Sequence, residues 1–308
     1  MSDLAGSFEN SNTSPLSVDA HAAAELDRSS RAARRTRRAS SLGQILANSL
    51  IISQRGPITL LRMSRPSKRN ALDAAMLAGI EGFFSDPPEG TRAIIIYGEG
   101  KHFSAGVDLA AFSEIHGYED SIRFSRAFHR AFDRIENSEI PVIAVMQGAV
   151  IGGGLELAAA AHIRVAERSA HYALPEAALG IFLGGGGAVR IPRLIGATRM
   201  TDMMLTGRTY TAEEGMPLGF SQYVVDDGQG IAKALELAEK VAANAVLSNF
   251  AVLHALPRIA RMDPDGGFLL ESLMAAVTTS DDEAKARLDA FFKRRAVKDV
   301  DCPNGNDQ

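Results

Sequence analysis

Residues 140–190 read IPVIAVMQGAVIGGGLELAAAAHIRVAERSAHYALPEAALGIFLGGGGAVR, and the rest of the chain is organised around them. Pro141 to Met146 is an apolar run with the length and β-branched content of a buried strand. Gly152, Gly153 and Gly154 then allow a sharp turn, and the alanine-rich Leu155 to Ala161 is a strong helix former. A strand, a glycine turn and a helix leave free backbone N–H groups at the helix start, where they can hold an anion or a developing oxyanion. Two carboxylates mark the stretch: Glu156 follows the triple glycine, and Glu176 stands behind a proline. The chemistry is expected here.

Outward from this stretch, strands alternate with helices. Leu50 to Ile52 and Ile58 to Met63 read as short strands joined by Gln54 to Pro57. Asp73 is placed to cap a helix ending near Ser85, and Asp86-Pro87-Pro88-Glu89-Gly90 is a loop. Ala93 to Tyr97 reads as a buried strand, and Tyr118 to Asn137 has helical periodicity. This order implies a largely parallel β architecture with crossovers. Beyond Arg190 the pattern turns helical. Ala197 to Thr206 and Ala212 to Leu218 precede one last short strand, Tyr223 to Val225. Ile231 to Val246, Phe250 to Met262, Gly267 to Val277 and Asp281 to Lys298 follow as helices.

The bulk numbers narrow the class. Of 308 residues, 46% are hydrophobic and 23% charged, the profile of a soluble globular protein with ample core. A net charge of −4 gives the body no reason to meet a nucleic acid. Cys302 is the only cysteine, so an intrachain disulfide and a thiolate metal site are excluded and a reducing compartment is expected. No apolar run approaches the ~20 residues of a membrane span.

Residues 1–48 are rich in Ser, Asn, Ala and Arg and have too little apolar content to order themselves. Six arginines between Arg28 and Arg38 are spaced so that several share one helical face. Acidic residues from Asp3 to Asp27 precede them, which argues against an organelle transit peptide. A disordered extension on a cytoplasmic protein is the expectation.

Other glycine chemistries fail on spacing. In G-x-G-x-x-G registers begun at Gly152 and Gly184, Leu157 and Val189 occupy the third glycine position. Gly98-Glu99-Gly100-Lys101 lacks the earlier glycine and the following Ser or Thr of a phosphate loop. The histidines show no metal-ligand spacing, and no nucleophile triad is visible.

Several segments in order resemble the enoyl-CoA hydratase/isomerase (crotonase) superfamily over about residues 50–297. They are Arg65-Pro66-Ser67-Lys68-Arg69-Asn70-Ala71-Leu72, His102-Phe103-Ser104-Ala105-Gly106-Val107-Asp108-Leu109, Gly152-Gly153-Gly154-Leu155-Glu156, and Pro175-Glu176 with Leu179-Gly180. Leu205-Thr206-Gly207-Arg208 and Phe291-Phe292-Lys293-Arg294-Arg295 also match in type. The resemblance implies an α/β fold with a ββα spiral core and a helical C-terminal trimerisation subdomain. Expected boundaries are 1–48 for the extension, 49–247 for the core, 248–298 for the helical subdomain and 299–308 for the tail. It further implies Glu156 as catalytic base and Glu176 as catalytic acid, and the N–H groups of Ala105 and Gly153 as an oxyanion hole. An acyl-CoA thioester would lie along Lys68, Arg69, Ala71, Gly106, Val107, Asp108 and Leu109, with Gly184 at the acyl pocket. Asp108 is expected to satisfy nearby backbone rather than to catalyse. No cofactor is implied beyond the coenzyme A of the substrate, and a homotrimer or hexamer is expected.

Two departures from the family pattern fall near the acyl pocket. Leu183, followed by Gly184 to Gly187, stands where many hydratases have a proline before the next glycine, and Leu174 replaces a commoner polar residue. Keeping both glutamates favours a 2-enoyl-CoA hydratase. The rivals are an enoyl-CoA isomerase, a hydratase-lyase for aromatic acyl-CoA, and a non-catalytic scaffold or RNA-contacting protein supported only by the arginine-rich extension.

Overall fold

The computed structural model describes residues 49–113 and 115–300. The expected extension, 1–48, and residues 301–308 of the expected tail lie outside the described residues.

Strands β1 (Leu50–Arg55) and β2 (Ile58–Met63) form an antiparallel hairpin about Gly56, whose φ of 58° suits glycine. Next come β3 (Ala93–Gly98), β4 (Val142–Met146), β5 (Ala149–Ile151), β6 (Ile163–Glu167), β7 (His171–Ala173), β8 (Tyr210–Thr211) and β9 (Tyr223–Val225). Six of these build one sheet in the order β1-β2-β3-β4-β6-β9, parallel from β2 onward, with Ile95 opposite Ile143 and Val145 opposite Val165. Both faces of the middle strands are covered, which is why Ala93–Ile96 and Val142–Met146 are apolar without alternation. A second sheet, β5-β7-β8, holds the short strands that periodicity does not reveal.

The main helices are α1 (Ala74–Ser85), α2 (Gly117–Glu136), α3 (Gly153–Ala160), α4 (Gly187–Ile195), α5 (Ala197–Thr206), α6 (Gly230–Ala242), α7 (Val246–His254), α8 (Pro264–Ser280) and α9 (Asp282–Val300). Asp73 caps α1, its carboxylate accepting the Met76 N–H at 2.8 Å. Ala234, Leu237 and Ala238 of α6 pack on Ile95, Ile143 and Val165 across one sheet face. Phe128, Ala131, Phe132 and Ile135 form the buried side of α2, which packs against α1.

The chain climbs as a spiral. Leaving β4, it bends at Gly148 into β5, runs through α3, and returns to the large sheet at β6. Gly148 is required there. Its φ is +54°, and a Cβ would stand 2.1 Å from the Lys101 carbonyl oxygen. Isolated bridges Ser104–Val150 and Leu72–Val107 tie each turn of the spiral to the next.

Three expected helices are shorter than the sequence suggested, the one expected to reach Val246 ending at Ala242. Phe250 to Met262 is not continuous: α7 ends at His254 and a separate turn spans Leu256–Ile259. Pro257 lacks the N–H that would continue α7. The helix expected to reach Leu218 stops at Gly215, two residues before Pro217. It is held at its start by a Thr211–Glu214 capping box.

Candidate active site

Glu156 lies one turn into α3 and is 2% exposed. Its Oε1 accepts the N–H groups of Gly185 at 2.9 Å and Gly187 at 2.7 Å. Such closeness demands glycine: a Cβ on residue 187 would meet the Glu156 Cγ at 2.6 Å, and one on residue 185 would meet its Oε2 at 2.8 Å. Burial pushes the Glu156 carboxyl above the usual carboxylate range, while the two amides and the charge of Arg190 pull it back.

Glu176 opens the turn Ala177–Leu179 and is 8% exposed. Its Oε2 is buried and has no hydrogen-bond partner among the described residues. Burial first, and the neighbouring charge of Glu156 as well, raise its carboxyl to about 7 against only backbone help from its own residue. The two carboxyls are thus differently served: one is clasped by two donors, the other is stripped of them. Burial raises both, and the charge of one acts on the other, so the two titrate as a coupled pair.

Backbone donors stand close by. Gly153 begins α3, and the first N–H of a helix has no intrahelical acceptor. A Cβ on Gly153 would lie 3.5 Å from the Val107 nitrogen, and one on Gly106 would lie 3.2 Å from the Gly153 nitrogen. The Gly153 start of α3 therefore faces the 106–107 backbone. Leu72 donates to the Gly106 carbonyl at 2.7 Å and accepts from the Asp108 N–H at 2.9 Å. In such a parallel bridge the amide of Val107 points away from Leu72.

This corrects the expected oxyanion pair. The Ala105 N–H donates to the Arg69 carbonyl at 2.9 Å and is committed to the scaffold. Val107 is the nearby residue whose N–H has no acceptor among the described residues. Alternation of amide direction along the loop, invisible without the Leu72 bridge, is the reason.

A cavity of about 930 Å³ joins these groups. Glu156, Glu176, Gly153, Ala105, Gly106, Val107, Asp108, Leu109, Lys68, Ala71 and Gly184 all line it. Its apolar wall comes largely from α2 and the preceding turn, through Phe112, Tyr118, Ile122, Phe124 and Phe128. Arg69 is the exception among the expected binding residues. It is exposed at a left-handed φ of 49° and does not line the cavity; its carbonyl is what it contributes, to Ala105. Asp108 is a scaffold group. Its Oδ1 caps the turn Leu109–Phe112 through the Ala110 N–H at 3.1 Å, and its Oδ2 pairs with Arg65 at 2.8 Å, which holds the carboxyl below its usual range. The sequence assigned no individual role to Ser125, Arg190 or Arg65, each of which fixes a loop of this site. A serine in a helix and arginines beside prolines or apolar residues carry no local signal of such contacts.

A spiral of ββα turns over a long parallel sheet, with two buried carboxyls beside a glycine-started helix and a helical C-terminal region, defines the crotonase fold. Residues 53–299 match the enoyl-CoA hydratase/isomerase family. The chain is 32% identical over 250 residues to the enoyl-CoA hydratase EchA19 of Mycobacterium tuberculosis, covering 80% of this chain and 94% of that one. It is 36% identical over 226 residues to the carnitinyl-CoA dehydratase of Salmonella typhi, covering 72% and 85% respectively. A Rhodopseudomonas palustris CGA009 protein of known structure, provisionally named an enoyl-CoA hydratase, superposes with a TM-score of 0.78 at 53% identity, over 81% of this chain and 96% of that one. The chain belongs to the enoyl-CoA hydratase/isomerase family. Among the described residues, no helix is long and apolar enough to cross a membrane.

Proposed function

We propose that the protein is a 2-enoyl-CoA hydratase, adding water across the C2–C3 double bond of an enoyl-CoA to give a 3-hydroxyacyl-CoA. The observation that carries this reading is the unequal treatment of two carboxyls on one cavity wall: among the described residues, Glu156 Oε1 holds two N–H donors and Glu176 Oε2 holds none. Addition of water needs one group to take a proton and one to give it. Glu156, with Oε2 left over, is the base that draws a proton from water as the water oxygen bonds to C3. The electron pair of the double bond moves toward the thioester, whose oxygen becomes enolate-like. The N–H groups of Val107 and Gly153 bind that oxygen, a contribution of roughly 3 kcal/mol per donor. Protonated Glu176 then delivers its proton to C2. Proton exchange with solvent restores both carboxyls. The same groups in reverse perform dehydration, so the equilibrium and not the site sets the net direction.

Lys68 at the cavity edge suits the phosphates of coenzyme A, and the aromatic wall of α2 suits an apolar acyl group. Exposed apolar side chains on α8 and α9, among them Phe268, Leu273, Phe291 and Phe292, support assembly into a trimer or hexamer. Sedimentation as a monomer would count against that assembly.

The test is turnover of crotonyl-CoA and longer 2-enoyl-CoAs by wild type, Glu156→Gln and Glu176→Gln. Each variant is expected to lose about 10²- to 10⁴-fold in kcat. Undiminished turnover in both would reject the reading, and preference for 3-enoyl-CoA or hydroxycinnamoyl-CoA would move the assignment to an isomerase or a hydratase-lyase.

A further inference from the structure

Gly184–Gly187 supplies both amides that clasp Glu156, so whatever fixes this loop also fixes the carboxylate. Glycine has the largest backbone freedom of any residue, and four in succession do not hold a direction by themselves. Each donating peptide is held at its other end. The Gly184–Gly185 peptide gives its N–H to Glu156, and its carbonyl oxygen accepts the Ser125 hydroxyl at 2.6 Å. The Gly186–Gly187 peptide gives its N–H to Glu156, and its carbonyl accepts the N–H groups of Val189 and Arg190 at 3.1 Å. Between them, the Gly185 carbonyl accepts Nη1 of Arg190 at 3.1 Å.

Arg190 is a buried guanidinium, 6% exposed, used on three sides. Nε donates to Glu136 at 2.7 Å and Nη2 pairs with Asp133, both on α2. Ser125 lies on the same helix, so α2 grips the loop twice: directly through a hydroxyl, and indirectly through the arginine. A hydroxyl bonded to a peptide carbonyl also polarises that peptide and strengthens its N–H as a donor, so the chain Ser125–peptide–Glu156 acts in series.

We propose that Ser125 and Arg190 are positioning residues for Glu156. They set the glycine loop so that two N–H groups converge on Oε1 and leave Oε2 turned to the reacting water. The proposal rests on the reading of Glu156 as the base. The charged groups facing Glu156 are Arg190 and Glu176. Asp133 and Glu136 are engaged by Arg190.

Ser125→Ala removes one hydroxyl and no charge, while Arg190→Met keeps bulk and removes the guanidinium. With crotonyl-CoA as substrate, Ser125→Ala is expected to lower kcat roughly 3- to 10-fold, the size of one lost hydrogen bond. Arg190→Met should lower it about 10- to 100-fold by misplacing the base. In both, KM stays unchanged and the acidic limb of the kcat–pH profile moves to higher pH. Ser125→Thr, which keeps the hydroxyl, should recover most of the lost rate. Placed on Glu156→Gln, Ser125→Ala should lower the residual rate no further, since the residues act as a unit. A change confined to KM, an unmoved acidic limb, or a full additive loss in that double variant would overturn the assignment while leaving the hydratase reading intact. A wild-type rate in Glu156→Gln would overturn both. Should Arg190→Met fail to fold, Ser125→Ala decides alone.

Discussion

Gly152 and Glu176 are in such close apposition that a methyl group on the former would stand 2.6 Å from Oε1 of the latter. Gly152 also sits at φ +50°, where side chains are strained. Gly152→Ala should therefore displace the Glu176 carboxyl and lower kcat by about 10²-fold, the usual consequence of ~1 Å misplacement. Backbone strain should cost about 1–3 kcal/mol. Steady-state kinetics and urea unfolding on the same preparation check both effects.

Glu176 ties stability to pH in an unusual direction for a carboxyl. Its folded value of about 7 lies above its ordinary 4.5, so the folded chain binds this proton more tightly than the unfolded chain does. The associated stability is fully present below pH 4.5 and is lost as pH rises through about 7. If Glu176 is the acid of the proposed mechanism, activity declines over the upper part of the same window. Comparing wild type with Glu176→Gln by urea unfolding at pH 5 and pH 8, the variant should lose less stability between the two. An equal loss in both proteins would refute the linkage.

The direction of the loop amides is testable without altering any side chain. Replacing Val107 by its α-hydroxy acid turns one peptide into an ester, removing the N–H and weakening the Gly106 carbonyl that accepts the Leu72 N–H. The expected loss in kcat is about 10²- to 10³-fold, with the fold intact. The same replacement at Ala105 removes a bond to the Arg69 carbonyl. It should lower stability by about 1 kcal/mol and leave kcat nearly unchanged. The reverse pattern would restore Ala105 as the donor.

Arg65 holds the same loop from behind, reaching Asp108 at 2.8 Å, Asp73 at 3.1 Å and the Ala71 carbonyl at 2.6 Å. Asp108→Ala breaks one of these ties and a helix cap together, so a loss of about 1–2 kcal/mol in stability is expected. In the proposed mechanism Asp108 carries no proton, so kcat should fall far less than in Glu176→Gln. Thermal unfolding and turnover measured side by side separate the two effects.

What could be read in the sequence was what local chemistry determines. Asp73 as a cap, the unbroken apolar runs at Ala93 and Val142, and the glycine-led helix at Glu156 all declare themselves within a few residues. The strands at Ala149 and His171 do not, because three residues carry no period and their pairing partners lie far along the chain. Pro257 was a visible stop that the surrounding apolar periodicity obscured. Ser125 and Gly184 are 59 residues apart, and nothing in either position announces the other. The exchange of Ala105 for Val107 has the same origin. Residue types identify a loop, whereas the bridge to Leu72 decides which of its amides is spare.

That bridge fixes the register of the loop. Between residues 104 and 108 the amides go in turn to Ala149, Arg69, the Ser104 hydroxyl, the cavity and Leu72. Of these five, the Val107 N–H alone has no acceptor among the described residues, so the length of the loop matters: inserting or deleting one residue would rotate a different amide into the opening.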